Sequence, residues 1–257
     1  MIPPLRATFG VRGHDVDAFG ALALPALAGY LQEVAARHAV ALGCGVDALR
    51  ARGLTWVLMR LRVAAPEPVA AGDVLAIDTW PSGVDRLLVS REYLVRRGEA
   101  VVARASTAWL VVDLASRRPV RPADALDPAL RPAAEILLPI ARRLPAAEAG
   151  PGAIERRFGV RYQDIDANQH VNNATYLAWA LEAVEPARWR AQRAAAAEIH
   201  FLAEACLGDT VVSRAAGAGE EVRHAILREG DGAELARAVT RWTARAGPGG
   251  GGGAIRR

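Results

Sequence analysis

Val160–Glu182 reads VRYQDIDANQHVNNATYLAWALE, and Val11–Glu33 reads VRGHDVDAFGALALPALAGYLQE. Set 149 residues apart, the two stretches align without a gap: Val11/Val160, Arg12/Arg161, Asp15/Asp164, Asp17/Asp166, Ala18/Ala167 and Glu33/Glu182 are identical. Val16/Ile165 is a near match, and Tyr30 faces Trp179 as aromatic for aromatic. A duplicated unit is the economical reading of such self-similarity.

Each copy continues in the same way, from a helical pattern to strand-like runs around a Gly-Asp turn, at Gly72-Asp73 and at Gly208-Asp209. The first helix is expected over Pro25–Leu42, with Pro at its start, Gly43 beyond its end, and Leu27, Leu31, Val34, Ala35 and His38 on one stripe. The second is expected over Ala174–Val184, stopping before Pro186. Strand-like runs follow at Leu54–Val63, Val74–Trp80, Arg86–Val95 and Ala100–Asp113, with a turn at Pro81-Ser82-Gly83. In the second copy they are Ile199–Ala203, Thr210–Ala215, Glu221–Glu229 and Glu234–Thr243. A helix with one apolar stripe and an antiparallel sheet each bury a face if the sheet wraps the helix, so the expected class is α+β with two tandem repeats.

The duplication also works as an internal control on chemistry. Asp166, Asn168 and His170 alternate, so in an extended or turning segment their side chains point one way. The first copy keeps Asp15 and Asp17 but has Phe19 and Ala21 where the second has Asn168 and His170. Shared aspartates read as caps and turn-formers. Residues confined to one copy are the better candidates for catalysis. Asn172 and Asn173 open the second helix as cap residues, with a subsidiary reading as substrate contacts.

Composition bounds the rest. The 257 residues, 52% apolar and 23% charged, suit one large or two ordinary globular domains, and no run approaches the length of a membrane span. The segment Met1–Val11 lacks secretory features, so the cytoplasm is the expected location. All 32 basic residues are arginine, interspersed with 28 acids to a net charge of +4, which gives no dense block for nucleic acid. Cys44 and Cys206 are too few for a disulfide framework or a thiolate metal site, and both are expected to pack as small apolar groups. No metal-binding, phosphate-loop, dinucleotide or serine-elbow motif occurs, so neither cofactor nor metal is expected. His14, His38, His200 and His224 lack grouped acids at ligand spacing and read as structural or solvated.

The stretch DIDANQHVNNATYLAWALE resembles the signature of the acyl-acyl carrier protein thioesterases, the bacterial and plant enzymes that release fatty acids from acyl carrier protein. The resemblance extends to Leu54–Arg62, Thr79–Arg86 and Ala108–Pro122 and covers the chain to about Ala244. It implies a double hotdog: an N-terminal repeat over 1–125 holding the acyl pocket, a linker over 126–152, a catalytic repeat over 153–246, and a flexible glycine-rich tail over 247–257. It implies hydrolysis of a fatty acyl thioester on the phosphopantetheine of acyl carrier protein, in lipid metabolism. It adds Glu204, before the Gly208-Asp209 turn, to the catalytic set Asp166, Asn168 and His170.

His170 and Glu204 would activate water, Asn168 orient it or the carbonyl, and Asp166 position its neighbours; attack by a carboxylate through an acyl-enzyme stays open. Plant members carry Cys after the glutamate, but here that position is Ala205 and Cys206 comes one later. Trp56, Leu58, Trp80 and Trp109 are acyl-pocket candidates, with core packing as the competing reading. Arg117, Arg118 and Arg121 are candidates for docking the acidic carrier, or for a structural part at the repeat junction. An acyl-coenzyme A thioesterase and a non-catalytic acyl-thioester-binding hotdog protein are the alternatives, and pairing into a homodimer stays open. A hotdog hydratase fits less well, because its His and Asp are spaced differently.

Overall fold

The computed structural model describes residues 2–127, 136–217 and 219–245. Its core is one continuous antiparallel sheet assembled from both halves of the chain. The first half contributes β1 (Leu5–Gly10), β2 (Leu54–Ala64), β3 (Val74–Asp85), β4 (Leu88–Arg97), β5 (Ala100–Asp113) and the short β6 (Pro119–Val120). The second contributes β7 (Ile154–Gly159), β8 (Gln192–Phe201), β9 (Thr210–Ala216), β10 (Glu221–Arg228) and β11 (Glu234–Ala244). The order β1-β3-β4-β5-β2-β8-β11-β10-β9-β7 is the same sequence of strands read outward from the centre in both directions. The halves join where β2 pairs β8, from Arg60 opposite His200 to Ala64 opposite Ala196.

A long helix lies against each half. α1 (Leu24–Ala41) buries Leu27, Leu31, Val34 and Ala35, and α4 (Asn173–Glu182) buries Tyr176, Leu177, Trp179 and Ala180. Both stripes, and the sheet residues beneath them, belong to one apolar cluster. The two helix ranges agree with the sequence pattern to within two residues at each end. Short helices α2 (Val46–Arg50), α3 (Pro122–Ala125) and α5 (Pro186–Ala191) were not legible, since their few residues carry no periodic stripe.

Three expectations about strands need correction. Pro81-Ser82-Gly83 does not turn the chain: β3 runs through it as a bulge, with the register against β4 shifting between Pro81 and Gly83. The bulge turns Ser82 inward, where its hydroxyl donates to the fully buried Glu92 carboxylate at 2.7 Å. The turn comes later, with Arg86 at φ 55°. β1 and β7 were missed because they are edge strands whose exposed positions blur the alternation, as in the IERRFG of β7. β8 starts well before Ile199, since its AAAA run favours helix by propensity but is held between two strand neighbours.

In the described part of the expected linker, residues 137–141 are tied to the sheet. The N–H of Leu137 donates to Glu92 at 3.0 Å, that of Leu138 to Ser106 at 3.1 Å, and that of Ala141 to Glu198 at 2.7 Å. The sequence of the linker suggests one helical turn around 132–138, which falls mainly on residues outside the described ones, as does the glycine-rich tail. Among the described residues no helix is long and apolar enough to cross a membrane.

Candidate active site

The sequence DIDANQHV forms a tight loop rather than an extended strand. Asp166 donates its N–H to the carbonyl of His170 at 2.9 Å, Gln169 donates to the carbonyl of Asp166 at 3.0 Å, and Gln169 adopts φ 65° to close the turn. The Asp166 carboxylate folds back and accepts the N–H of Asn168 at 2.7 Å. Below it, Asp164 accepts the N–H of Arg161 at 2.8 Å and pairs with its guanidinium at 2.9 Å. Burial pushes the Asp164 carboxyl upward, but the bonds from Arg161 outweigh it and hold the group below its usual range. Asn172 caps α4, its side chain accepting the N–H of Ala174 at 2.9 Å.

A second loop, after β8, brings Glu204 to the first. The N–H of Val171 donates to the carbonyl of Ala205 at 3.0 Å, and the N–H of Ala205 donates to the hydroxyl of Tyr176 on α4 at 2.8 Å. Burial pushes the Tyr176 phenol up to about 12, so it stays neutral and available as this anchor. The result sets His170 Nε2 at 3.3 Å from Glu204 Oε2, across 34 residues of sequence. Both side chains are partly open to solvent, at 32% and 42% exposure.

The first half also reaches into this site. Arg117, held at φ 56° in the turn after β5, donates to Glu204 at 2.7 Å, and Arg50, the last residue of α2, donates to Asn168 Oδ1 at 2.6 Å. Arg228 of β10 donates to the Glu204 carbonyl at 2.9 Å. Arg117 was expected among the docking residues with Arg118 and Arg121; here it contacts the candidate base system, while Arg121 is paired with Asp124 at 2.8 Å. Arg50, Arg228 and Tyr176 were not anticipated. Their contacts span large separations in sequence, and a tyrosine on an apolar helix stripe reads as core.

Other candidates fall elsewhere. Asn173 donates to Gln32 of α1 at 3.5 Å, joining the two helices. Leu58 is in the core cluster, the Trp56 indole N–H is bound to the Cys44 carbonyl at 2.8 Å, and that of Trp109 to Thr107 at 2.8 Å. None of Trp56, Leu58, Trp80 or Trp109 lines the cleft of about 420 Å³ that opens beside the first-half loop. Cys206 corrects an expectation: it is exposed, because the chain has already left β8 and turns there, its N–H accepted by Asp209 at 2.9 Å. Cys44 is buried as expected. His38 and His224 are buried, which pulls their pKa values down to about 4 and about 3 and keeps them neutral.

The fold is a double hotdog: solved structures superpose along almost the whole chain. An acyl-ACP thioesterase from Bacteroides thetaiotaomicron aligns with a TM-score of 0.84 at 22% identity, covering 93% of this chain and 98% of its own. The 12:0-ACP thioesterase from Umbellularia californica aligns with a TM-score of 0.81 at 21% identity, covering 94% and 98%. The chain belongs to the acyl-ACP thioesterase family, matching its N-terminal domain over residues 5–127 and its C-terminal domain over residues 149–244.

Among curated relatives, the acyl-[acyl-carrier-protein] hydrolase FATB2 of Cuphea viscosissima is 26% identical over 92% of this chain. The palmitoyl-acyl carrier protein thioesterase of Arabidopsis thaliana is 27% identical over 93% of it. The chain spans 62% and 64% of the length of these two plant relatives.

Proposed function

We propose that this chain hydrolyses fatty acyl thioesters carried on acyl carrier protein, with the chemistry in residues 153–246. The observation that carries the reading is the His170–Glu204 pair at 3.3 Å, assembled from two loops beside the start of a helix and present in only one of the two repeats. Family membership and relatives named as hydrolases of acyl carrier protein thioesters support the same reading.

The division of labour follows from the contacts. With Nε2 turned to Glu204, His170 has Nδ1 left to take a proton from an attacking water. Glu204 stabilises the imidazolium that forms, and Arg117 fixes the carboxylate in place. Asn168, its oxygen held by Arg50 and one amide N–H turned to Asp166 at 3.4 Å, presents its other amide N–H to water or to the thioester carbonyl. Charge developing on that carbonyl is stabilised by the positive end of α4, which begins three residues after His170. Collapse of the tetrahedral intermediate breaks the C–S bond, and His170 returns its proton to the departing thiolate. Asp166 positions the loop and touches no reacting atom.

Carrier choice is proposed through Arg117, Arg118 and Arg121, of which Arg117 reaches the site at Glu204 and whose charge matches an acidic partner. The test is a panel of acyl groups, each on acyl carrier protein and on coenzyme A. Faster turnover of the carrier-protein substrates supports the reading. Preference for coenzyme A would move the assignment to an acyl-coenzyme A thioesterase, and retention of every intact thioester would leave a binding protein.

A further inference from the structure

The architecture of the candidate active site is built a second time in the first half, with apolar side chains at the positions of Asn168, His170 and Glu204. The 149-residue offset pairs Asn168 with Phe19 and His170 with Ala21, and the 136-residue offset of the Gly-Asp turns pairs Glu204 with Pro68. The main backbone bonds of the two loops recur. Asp17 donates to the Ala21 carbonyl at 2.7 Å and Leu22 to the Val69 carbonyl at 2.7 Å, where the second half has Asp166 to His170 and Val171 to Ala205. Ala70 donates to Asp73 at 2.9 Å as Cys206 does to Asp209.

Phe19, Ala21 and Pro68 all line the 420 Å³ cleft, and the opposite half closes it with Ala178 of α4 and Trp189 of α5. That volume lies within the roughly 300–1,000 Å³ of small-molecule sites. The cleft is separate from the catalytic loops. It touches β5 at Ala103, whereas Arg117 follows the far end of that strand, and ten residues at ~3.3 Å each put roughly 30 Å between them.

Two arginines border the cleft. Arg245 is committed: it pairs with Asp17 at 2.7 Å, donates to the Trp189 carbonyl at 2.8 Å and stacks 4.1 Å over the Phe19 ring. Arg193 is not. It donates to the carbonyls of Ala65, at 2.8 Å, and of Pro66, and among the described residues it has no acid partner at ion-pairing distance. Burial lowers its pKa by more than the nearby charges of Glu67 and Asp17 raise it, as for a cation that has lost water without a directly bound carboxylate. Glu67 and Glu182, also on the rim, are exposed and screened by solvent.

We propose that this cleft is a non-catalytic binding site for a free alkyl carboxylate, its chain along the apolar walls and its head group on Arg193. Without the base pair of the other copy, the site retains its ligand rather than transforming it. The inference goes beyond the hydrolytic reading and does not need it, since binding is measured directly.

The experiment is calorimetric titration of the full chain with decanoate and, as the neutral match, 1-decanol, each below its solubility limit. Wild type binds both, and His170→Ala binds decanoate with unchanged affinity. Arg193→Gln binds decanoate about tenfold more weakly, as loss of a charge-assisted bond requires, while its affinity for decanol stays within about twofold. Ala178→Phe, which adds bulk at a partly exposed helix position and keeps Arg193, loses both ligands; it keeps the test decisive if Arg193→Gln lowers the thermal midpoint. Equal decanoate affinity in Arg193→Gln and wild type, retained binding in Ala178→Phe, or no binding to wild type overturns the proposal.

Discussion

The loop at residues 166–170 and the loop at residues 17–21 have the same backbone and different side chains, which separates what builds this fold from what works in it. Asp17 and Asp166 both accept the N–H two residues on, at 2.9 and 2.7 Å. Asp15 and Asp164 both bind the arginine three residues before them, through its backbone and its guanidinium. These four acids are common property of the scaffold. Asn168, His170 and Glu204 have no polar counterpart in Phe19, Ala21 and Pro68. A triplet that looks like one polar unit in sequence therefore divides between the copies: Asp166 has a twin in Asp17, and Asn168 and His170 have none.

Substitutions in one copy or the other sharpen that division. The largest effect is expected at Glu204: Glu204→Ala lowers kcat on an acyl thioester by about 100-fold or more, within the range for loss of acid–base assistance. Turnover within a few-fold of wild type would break the assignment of the pair.

Next come the scaffold acids. Asp15→Ala and Asp164→Ala each destabilise the fold by about 2 kcal/mol in denaturant titrations, because each removes a buried, charge-assisted acceptor. Both carboxyls are held below their usual 3.8, by Arg12 at Asp15 and by Arg161 at Asp164. Their stabilisation is present above that value and lost as pH falls below it through the folded-state pKa, so the gap between wild type and variant closes in acid. A loss at only one of the two positions would break the equivalence of the copies.

Arg117→Ala is expected to cost about tenfold in kcat/KM. If Arg117 acts by holding Glu204, the loss lies in kcat and ignores salt. A rise in KM that vanishes at high ionic strength would return it to the carrier-docking role. The smallest effect concerns the turn itself. Gly20 has φ 82° and Gln169, its counterpart, φ 65°, so Gly20→Ala costs about 1 kcal/mol while Gln169→Gly is neutral or slightly stabilising, both read from the denaturation midpoint.

Much of this was legible in the sequence because the chain repeats itself. The offset located both helices, the paired turns located most central strands, and the positions where the copies disagree pointed to Asn168 and His170. Glu204 came from resemblance, since one glutamate beside a turn has no local signature. What stayed hidden depends on tertiary pairing. The alanine run of β8 is a strand only because β2 and β11 flank it, and Pro81 sits inside β3 because a bulge absorbs it. Arg50 and Arg117 reach the site across 118 and 87 residues, a proximity created by the junction of the two halves. Nothing in their neighbouring residues announces it.

Whether the second-copy loop is the catalytic one is tested directly by single-turnover hydrolysis of an acyl-acyl carrier protein by wild type and by His170→Ala, with binding of a non-hydrolysable thioether analogue measured alongside. In His170→Ala, fatty acid release is expected to fall by at least about 100-fold while analogue affinity is kept. Release by His170→Ala at the wild-type rate would contradict it and place the chemistry elsewhere in the molecule.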